Sequence, residues 1–281
     1  MTPAPGEAVA GEVLARRGVL QVGERVLLVD AKQRRYLVTL AAGGAFHTHA
    51  GFLPHDDIIG KEEGAVVAAS TGRRFTVLRP TLADVVLKMP RGAQVVYPKD
   101  LGAILMAADI GPGMRVLEAG VGSGALSMAL LRAGAEVIGY ERRPDFAQRA
   151  QANVAAWLGE HVTTYRVVER DVYDGIEEQG LDRVVLDLPE PWRVLPAAQR
   201  ALRRGGILVA YLPTINQTAT FRSALAAGPW GLTETSELLR RTWHIEERSV
   251  RPDHRMVAHT GFLTTARLVE RHGSEPPGPG R

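Results

Sequence analysis

The spacing of apolar residues along this chain divides it into regions of different texture. Between Arg25 and about residue 80, apolar positions come in short alternating runs. Runs at 26–29 and 36–40 flank the polar turn Lys32-Gln-Arg34, and runs at 65–69 and 75–78 follow a series of glycines. Period-two runs bounded by glycine and polar turns predict strands and hairpins, so residues 23–80 are expected to form a small all-β domain. Residues 1–22 mix Pro, Gly, Ala and a short basic stretch, and are expected to be a flexible extension.

Beyond Arg79-Pro80 the period lengthens. Residues 82–89 predict a helix ended by Pro90, and Tyr97-Pro-Lys-Asp100 opens another that runs to 108. From Arg115, strand patterns at 116–118, 137–140, 163–168, 183–187 and 207–212 alternate with helix patterns at 125–133, 144–158, 192–203 and 217–227. Such alternation predicts an α/β fold with a doubly wound, mainly parallel sheet. Two later strand patterns, 232–238 and 260–268, have no helix pattern between them and are expected to pair as a hairpin at the sheet edge. Residues 269–281, with Pro276-Pro-Gly-Pro-Gly280, are expected to be a disordered tail.

Composition narrows the chemistry. With 281 residues, 45% of them hydrophobic, the chain can bury one full core and a smaller one. No apolar run reaches the roughly 18 residues of a membrane span, and the first residues lack a signal-peptide stretch, so a cytoplasmic location is expected. Cysteine is absent, which excludes disulfides, thiolate metal sites and cysteine nucleophiles. His47-Thr-His49 on a strand would point two imidazoles to one face, with His55-Asp56-Asp57 nearby. Packing or RNA contact is the expected role of these histidines, and no metal is expected. The net charge is +3 and the pI about 9.4, yet only four of the 34 basic residues are lysines. Arginine pairs recur, from Arg16-Arg17 to Arg240-Arg241, and the planar guanidinium fork suits phosphate. A nucleic-acid partner and a merely solvated arginine-rich surface both fit the charge alone.

The strand at 116–118 runs into Glu118-Ala-Gly-Val-Gly-Ser-Gly124 and then a helix. Glycines there let backbone approach a ligand, and the helix start offers unpaired N–H groups. Glu141, ending the next strand, is placed to accept from ribose hydroxyls, and Asp171, past the third strand, to receive an adenine amino group. Gly120-x-Gly122-x-x-Ala125 with a following acid also satisfies a dinucleotide fingerprint. Glu118, the third glycine at 124 and Asp187-Leu-Pro189 after the fourth strand favour S-adenosylmethionine instead. Asp187-Leu-Pro-Glu-Pro-Trp192 loosely resembles the Asp/Asn-Pro-Pro-aromatic motif of amino-methylating enzymes, while helix capping by Asp187 is the plainer alternative.

Together with these motifs, Met89-Pro-Arg-Gly-Ala-Gln-Val-Val-Tyr-Pro-Lys-Asp100 and the late His259-Thr-Gly-Phe-Leu263 resemble the bacterial tRNA adenine-N1 methyltransferase family, with particular likeness to its actinobacterial branch. The resemblance runs from about residue 23 to 268. It implies a class I, Rossmann-like methyltransferase domain over 81–268 with a seven-stranded, mainly parallel sheet, S-adenosylmethionine as cofactor, and N1 of adenosine 58 in the tRNA T-loop as acceptor. It implies a homotetramer whose small β domain helps hold tRNA. By position it puts Ser123, Gly124, Ala125 and Leu126 in the cofactor loop, to which the loop pattern itself already assigns Glu118, Gly120 and Gly122, with Glu141 on the ribose and Asp171 at the adenine. Asp187 falls between cofactor and target base. Phe146, standing where a family member carries His, flanks the cofactor. Tyr97 and Trp192 are candidate aromatic walls for the base, and Arg91, Lys99 and Arg255 candidate phosphate or site contacts. Two rivals share much of this pattern: a methyltransferase for another nucleic-acid or protein acceptor, and a non-catalytic tRNA-binding paralogue.

Overall fold

A computed structural model describes residues 17–49, 51–92, 94–159 and 162–270. The expected extension therefore lies outside the described residues up to 16, and the expected tail from 271 onward. The chain divides into two compact units at Met89/Pro90.

In the first unit, β1 (Arg25–Asp30), β2 (Arg35–Thr39), β5 (Val66–Ala68) and β6 (Arg74–Leu78) form an antiparallel sheet in the order β2-β1-β6-β5. A hairpin of β3 (Ala45–Thr48) and β4 (Gly51–Pro54) accompanies it. The β1–β2 turn is the one that the polar residues mark. Asp30, at 2% exposure, accepts the backbone N–H groups of Lys32 and Arg34 at 2.8 and 3.0 Å. Leu20, Val26, Leu28, Leu53, Phe75 and Val77 are buried together, so the unit takes in residues ahead of the expected start at 23. It also ends later than 80, because α1 (Leu82–Lys88) groups with it. Thr81 and Asp84 cap that helix reciprocally, and Pro90 follows its end.

His49 lies in the turn beyond β3, so His47 and His49 do not share a strand face. Metal-ligand spacing on a strand is thereby corrected: the chain has already left the pleat. His55 is buried and accepts the Ala41 N–H at 3.1 Å, which gives it a packing role.

The second unit holds a seven-stranded sheet in the order β12-β15-β11-β10-β7-β8-β9. Its strands are β7 (Arg115–Ala119), β8 (Glu136–Glu141), β9 (Tyr165–Glu169), β10 (Leu181–Leu186), β11 (Leu202–Leu212), β12 (Trp230–Glu237) and β15 (Phe262–Leu268). β7 to β11 pair in parallel, and only β15 runs against its neighbours. Val184, Val185 and Leu186 in β10 and Leu208 to Leu212 in β11 are buried in succession, as strands covered on both faces require. The remaining helices are α2 (Pro98–Ala107), α3 (Ala125–Arg132), α4 (Pro144–Leu158), α5 (Leu195–Ala201) and α6 (Ile215–Ala226). In α4 the buried residues Phe146, Ala147, Ala150, Val154 and Leu158 keep the 3.6-residue period.

Two elements differ from expectation. The helix expected over 192–203 is a 3-10 turn, Pro191–Val194, followed by the shorter α5. Leu202 already belongs to β11, and positive φ at Gly205 accompanies the irregular β10–β11 register. The strands expected near 232–238 and 260–268 do pair antiparallel, but a further hairpin lies between them, β13 (Trp243–Glu246) with β14 (Ser249–Pro252).

The candidate active site

Winding reverses between β7 and β10, and the carboxyl ends of these strands form the crevice where doubly wound sheets bind ligands. β7 delivers the loop 120–124 to this crevice. Gly120, Gly122 and Gly124 have φ of +87°, +57° and +83°, a region that side chains disfavour. A Cβ on Gly120 would also collide with the carbonyl oxygen of Asp187, so glycine lets the loop lie directly on the chain leaving β10. Gly124 caps α3, with a hypothetical Cβ 3.2 Å from the Ala150 backbone. Asn153, a buried polar residue on α4, fixes the loop from behind by donating to the Ser123 carbonyl at 3.0 Å and to that of Pro90 at 3.1 Å.

Three carboxylates converge on this loop. Glu141 ends β8, accepts the N–H of Gly122 at 3.1 Å and that of Arg143 at 3.0 Å, and is 8% exposed. Glu118 is fully buried; its Oε2 accepts from Ser127 Oγ at 2.6 Å, while its Oε1 has no partner. Burial pushes the Glu118 carboxyl up to about 8, against the Ser127 hydrogen bond and with the help of the Asp187 charge. Asp187 follows β10, its N–H held by Ala119 O at 2.9 Å. As a residue it is half-buried, but its carboxyl lies within the protein, and burial pushes it up to about 7.

Two cavities meet at Gly120. One, of about 110 Å³, is walled by Tyr140, Glu141, Asp171, Tyr173 and Leu188. Asp171 accepts the Tyr173 N–H at 3.0 Å and stands 3.6 Å from Arg142. The other, of about 20 Å³, is walled by Val95, Val96, Glu118, Ser123, Leu126 and Asp187 among others. Ser123 is 3% exposed and its Oγ has no partner. The unpartnered oxygens of Ser123 and Glu118, beside a glycine cradle, match a ligand with a cationic, hydrogen-bonding end. The aromatic and carboxylate walls of the larger cavity match a nucleoside.

Glu118, Gly120, Gly122, Ser123, Ala125, Leu126, Glu141, Asp171 and Asp187 thus lie on the walls of these cavities, and Gly124 shapes the loop between them. Phe146 is not on either wall. It is 4% exposed, with the Arg143 and Arg149 guanidinium groups 4.0 and 5.3 Å from its ring centroid. Trp192 is half-buried and packs on the sheet core. Tyr97 is half-buried at the N-cap of α2. Lys99 is not a surface phosphate contact: its side chain is 7% exposed and its Nζ is engaged by Asp100, Leu238 O and Thr260. His259 bonds Glu237 at 2.7 Å and Pro213 O at 2.8 Å. Two acceptors on two ring nitrogens favour the imidazolium, and its pKa is raised by the Pro213 carbonyl and by Glu237.

Sequence reasoning missed Ser127, Asn153 and Tyr211, and gave no individual role to Asp100 and Thr260, which stand in the quoted motifs. Asn153 had a legible signal, a polar residue in phase with the buried stripe of α4.

Known proteins bear on this geometry. A family model described as TrmI-like N-terminal matches residues 18–67, and one described as tRNA methyltransferase complex GCD14 subunit matches residues 75–252. The chain is 41% identical over 248 residues to the tRNA (adenine(58)-N(1))-methyltransferase TrmI of Thermus thermophilus, covering 86% of this chain and 96% of that protein. It is 36% identical to the Methanocaldococcus jannaschii enzyme described as a tRNA (adenine(57)-N(1)/adenine(58)-N(1))-methyltransferase, with 86% and 94% covered. Among solved structures, the tRNA (m1A58) methyltransferase TrmI of Aquifex aeolicus superimposes with a TM-score of 0.80 at 30% identity, covering 90% of this chain and all of that one. A Thermotoga maritima protein described as a SAM-dependent O-methyltransferase gives 0.86 at 35% identity, with 94% and 98% covered.

Proposed function

The chain belongs to the tRNA methyltransferase family matched over most of its length, and on that premise we propose that it transfers a methyl group from S-adenosylmethionine to N1 of adenosine 58 in the tRNA T-loop. The observation that carries this reading is the meeting of the Gly120–Gly124 loop with Asp187 at the sheet's switch point. Membership of this family sets aside the dinucleotide alternative.

The cofactor, when bound, supplies a methyl group already activated by a sulfonium. Glu141 and Asp171 would hold the nucleoside end in the larger cavity, between Tyr140, Tyr173 and Leu188. Gly120, Gly122, Ser123, Gly124, Ala125 and Leu126 would hold the amino-acid end, with Glu118 Oε1 and Ser123 Oγ gaining the partners they lack. The Asp187 and Glu141 charges add to burial in raising the Glu118 carboxyl, and a cationic ligand relieves that repulsion. Phe146 stays in the reading as a residue behind the loop that supports the cofactor through α4.

Adenine N1 carries an in-plane lone pair and needs no deprotonation, so positioning is the main demand. Asp187 orients the base by accepting from its amino group and stabilises the positive charge that grows as N1 is alkylated. Tyr97, at the N-cap of α2, is assigned to the base pocket. The T-loop adenine must leave its stack to reach this site, and the small β unit, with arginines such as Arg91 and Arg255, is assigned to holding the tRNA. A homotetramer follows from the resemblance, and the exposed Trp243, Ile245 and Val250 of the β13–β14 hairpin suit an assembled state. No helix among the described residues is long and apolar enough to cross a membrane, and a cytoplasmic location accords with a tRNA substrate.

The test of this reading is binding followed by turnover. Purified protein is expected to bind S-adenosylmethionine at equilibrium and then to label tRNA, whereas a catalytically dead paralogue would leave the tRNA unlabelled.

A further inference from the structure

Lys99, Asp100, Tyr211 and Thr260 form a closed polar cluster that the reaction as described does not use. Asp100, at 1% exposure, accepts from Lys99 Nζ on Oδ1 at 2.7 Å. Its Oδ2 accepts from Thr260 Oγ1 at 2.6 Å and from the Tyr211 hydroxyl at 3.2 Å. Lys99 Nζ also donates to Thr260 Oγ1 at 2.5 Å and to Leu238 O at 2.7 Å. Every polar atom of this buried pair therefore has a partner, the condition under which a buried charge pair holds one geometry rather than several.

The cluster joins four segments at one end of the sheet: the start of α2, the end of β11, the residue after β12, and the turn that leads into β15. The same turn is held a second time by His259, through Glu237 and Pro213 O. It is tightly fitted as well, since a Cβ at Gly261 would lie 2.5 Å from the Tyr211 ring. Two site residues adjoin the cluster. Tyr97 caps α2, and its carbonyl accepts the N–H groups of Asp100 and Leu101 at 2.8 and 2.9 Å. Asp187 follows Leu186, which pairs in register with Ala210 of β11, so Tyr211 is its counterpart on the next strand.

We propose that Lys99, Asp100, Thr260 and Tyr211 are positioning residues for methyl transfer, locking Tyr97 and the 259–261 turn beside Asp187 so that the wall facing the acceptor base is rigid before the base arrives. This rests on the reading that the acceptor base lies against Tyr97 and Asp187. The cluster touches neither cofactor cavity wall beyond that neighbourhood, so it acts on the acceptor side alone. Lys99 holds its charge for Asp100 and not for a tRNA phosphate.

Thr260→Val removes one donor and one acceptor at nearly constant volume, and Thr260→Ser restores both. In the full-length protein, Thr260→Val is expected to lower kcat on tRNA about tenfold or more, as small misplacements of reacting groups do, with the Kd for S-adenosylmethionine within twofold of wild type. Thr260→Ser is expected to recover most of the loss. Hydrogen exchange needs no turnover: Thr260→Val should raise exchange at 99–103 and 259–262 together and leave 120–127 unchanged. Coupled exchange without wild-type activity on tRNA would keep the lock and sink the acceptor assignment. Exchange rising at only one segment, cofactor affinity falling in step with kcat, or unchanged kcat with wild-type activity present would each overturn the proposal.

Discussion

Asp187 and Glu118 are acids that the fold keeps out of water, and their behaviour with pH follows from that. A carboxyl raised to about 7 is mostly protonated below neutrality, and the neutral acid, though its carbonyl oxygen can still accept from the adenine amino group, lacks the negative charge that offsets the positive charge growing on the base. The kcat/KM for S-adenosylmethionine is therefore expected to rise through about pH 7 and level above it. At saturating cofactor the sulfonium charge should draw that limb to lower pH. Asp187→Asn should flatten the limb and lower kcat on tRNA by roughly 10²-fold or more while tRNA affinity stays within a few-fold, the pattern of an interaction made mainly in the transition state. An equal loss of binding and turnover would make the residue structural. Glu118 gives a stability counterpart. Its folded pKa of about 8 exceeds the ordinary value of 4.5, so the folded state binds more protons across that window and stability falls as pH rises through it. The cofactor-free Glu118→Gln protein should lose much of that fall, read as a flatter Tm between pH 5 and 8 than wild type. A Tm profile parallel to wild type would mean that Glu118 is not buried as described.

At the scale of elements, the loop between β7 and α3 carries the strictest demand. Gly120→Ala would put a side chain at φ +87° and into the Asp187 carbonyl. A left-handed non-glycine residue alone costs about 1–3 kcal/mol, so a lower Tm and loss of cofactor binding are expected together; full retention of both would contradict the close approach. This loop was legible in the sequence because three glycines between a strand and a helix admit few geometries. Glu141 and Asp171 were legible because strand ends of a doubly wound sheet are fixed by the alternation itself. The β13–β14 hairpin was not, because Trp243, Ile245 and Val250 are exposed and their spacing reflects no core. The division of 192–203 into a turn and a short helix was hidden for a related reason. Prolines at 191 and 196 fit a helix start equally well, and only the pairing of Leu202 with Leu181 decides where the strand begins. Of the two roles open to Lys99, phosphate contact or site contact, the sequence could not decide, because a lysine's sequence context does not reveal an acceptor 139 positions away, as Leu238 O is.

For the whole molecule, a β unit and a methyltransferase unit share one chain, and the family models match both. The acceptor is the point on which the relatives' descriptions differ: the Thermus and Aquifex proteins are named for N1 of adenine 58, the Thermotoga protein for an oxygen. One measurement separates these outcomes. Purified full-length protein is incubated with methyl-labelled S-adenosylmethionine and an unmodified tRNA transcript, and the labelled nucleoside is identified and placed by digestion and mass spectrometry. The expected result is 1-methyladenosine at position 58, with no label on a transcript in which that adenine is replaced. Label on N6 of adenine, on a ribose hydroxyl, on another nucleotide outside the T-loop or on protein would contradict it.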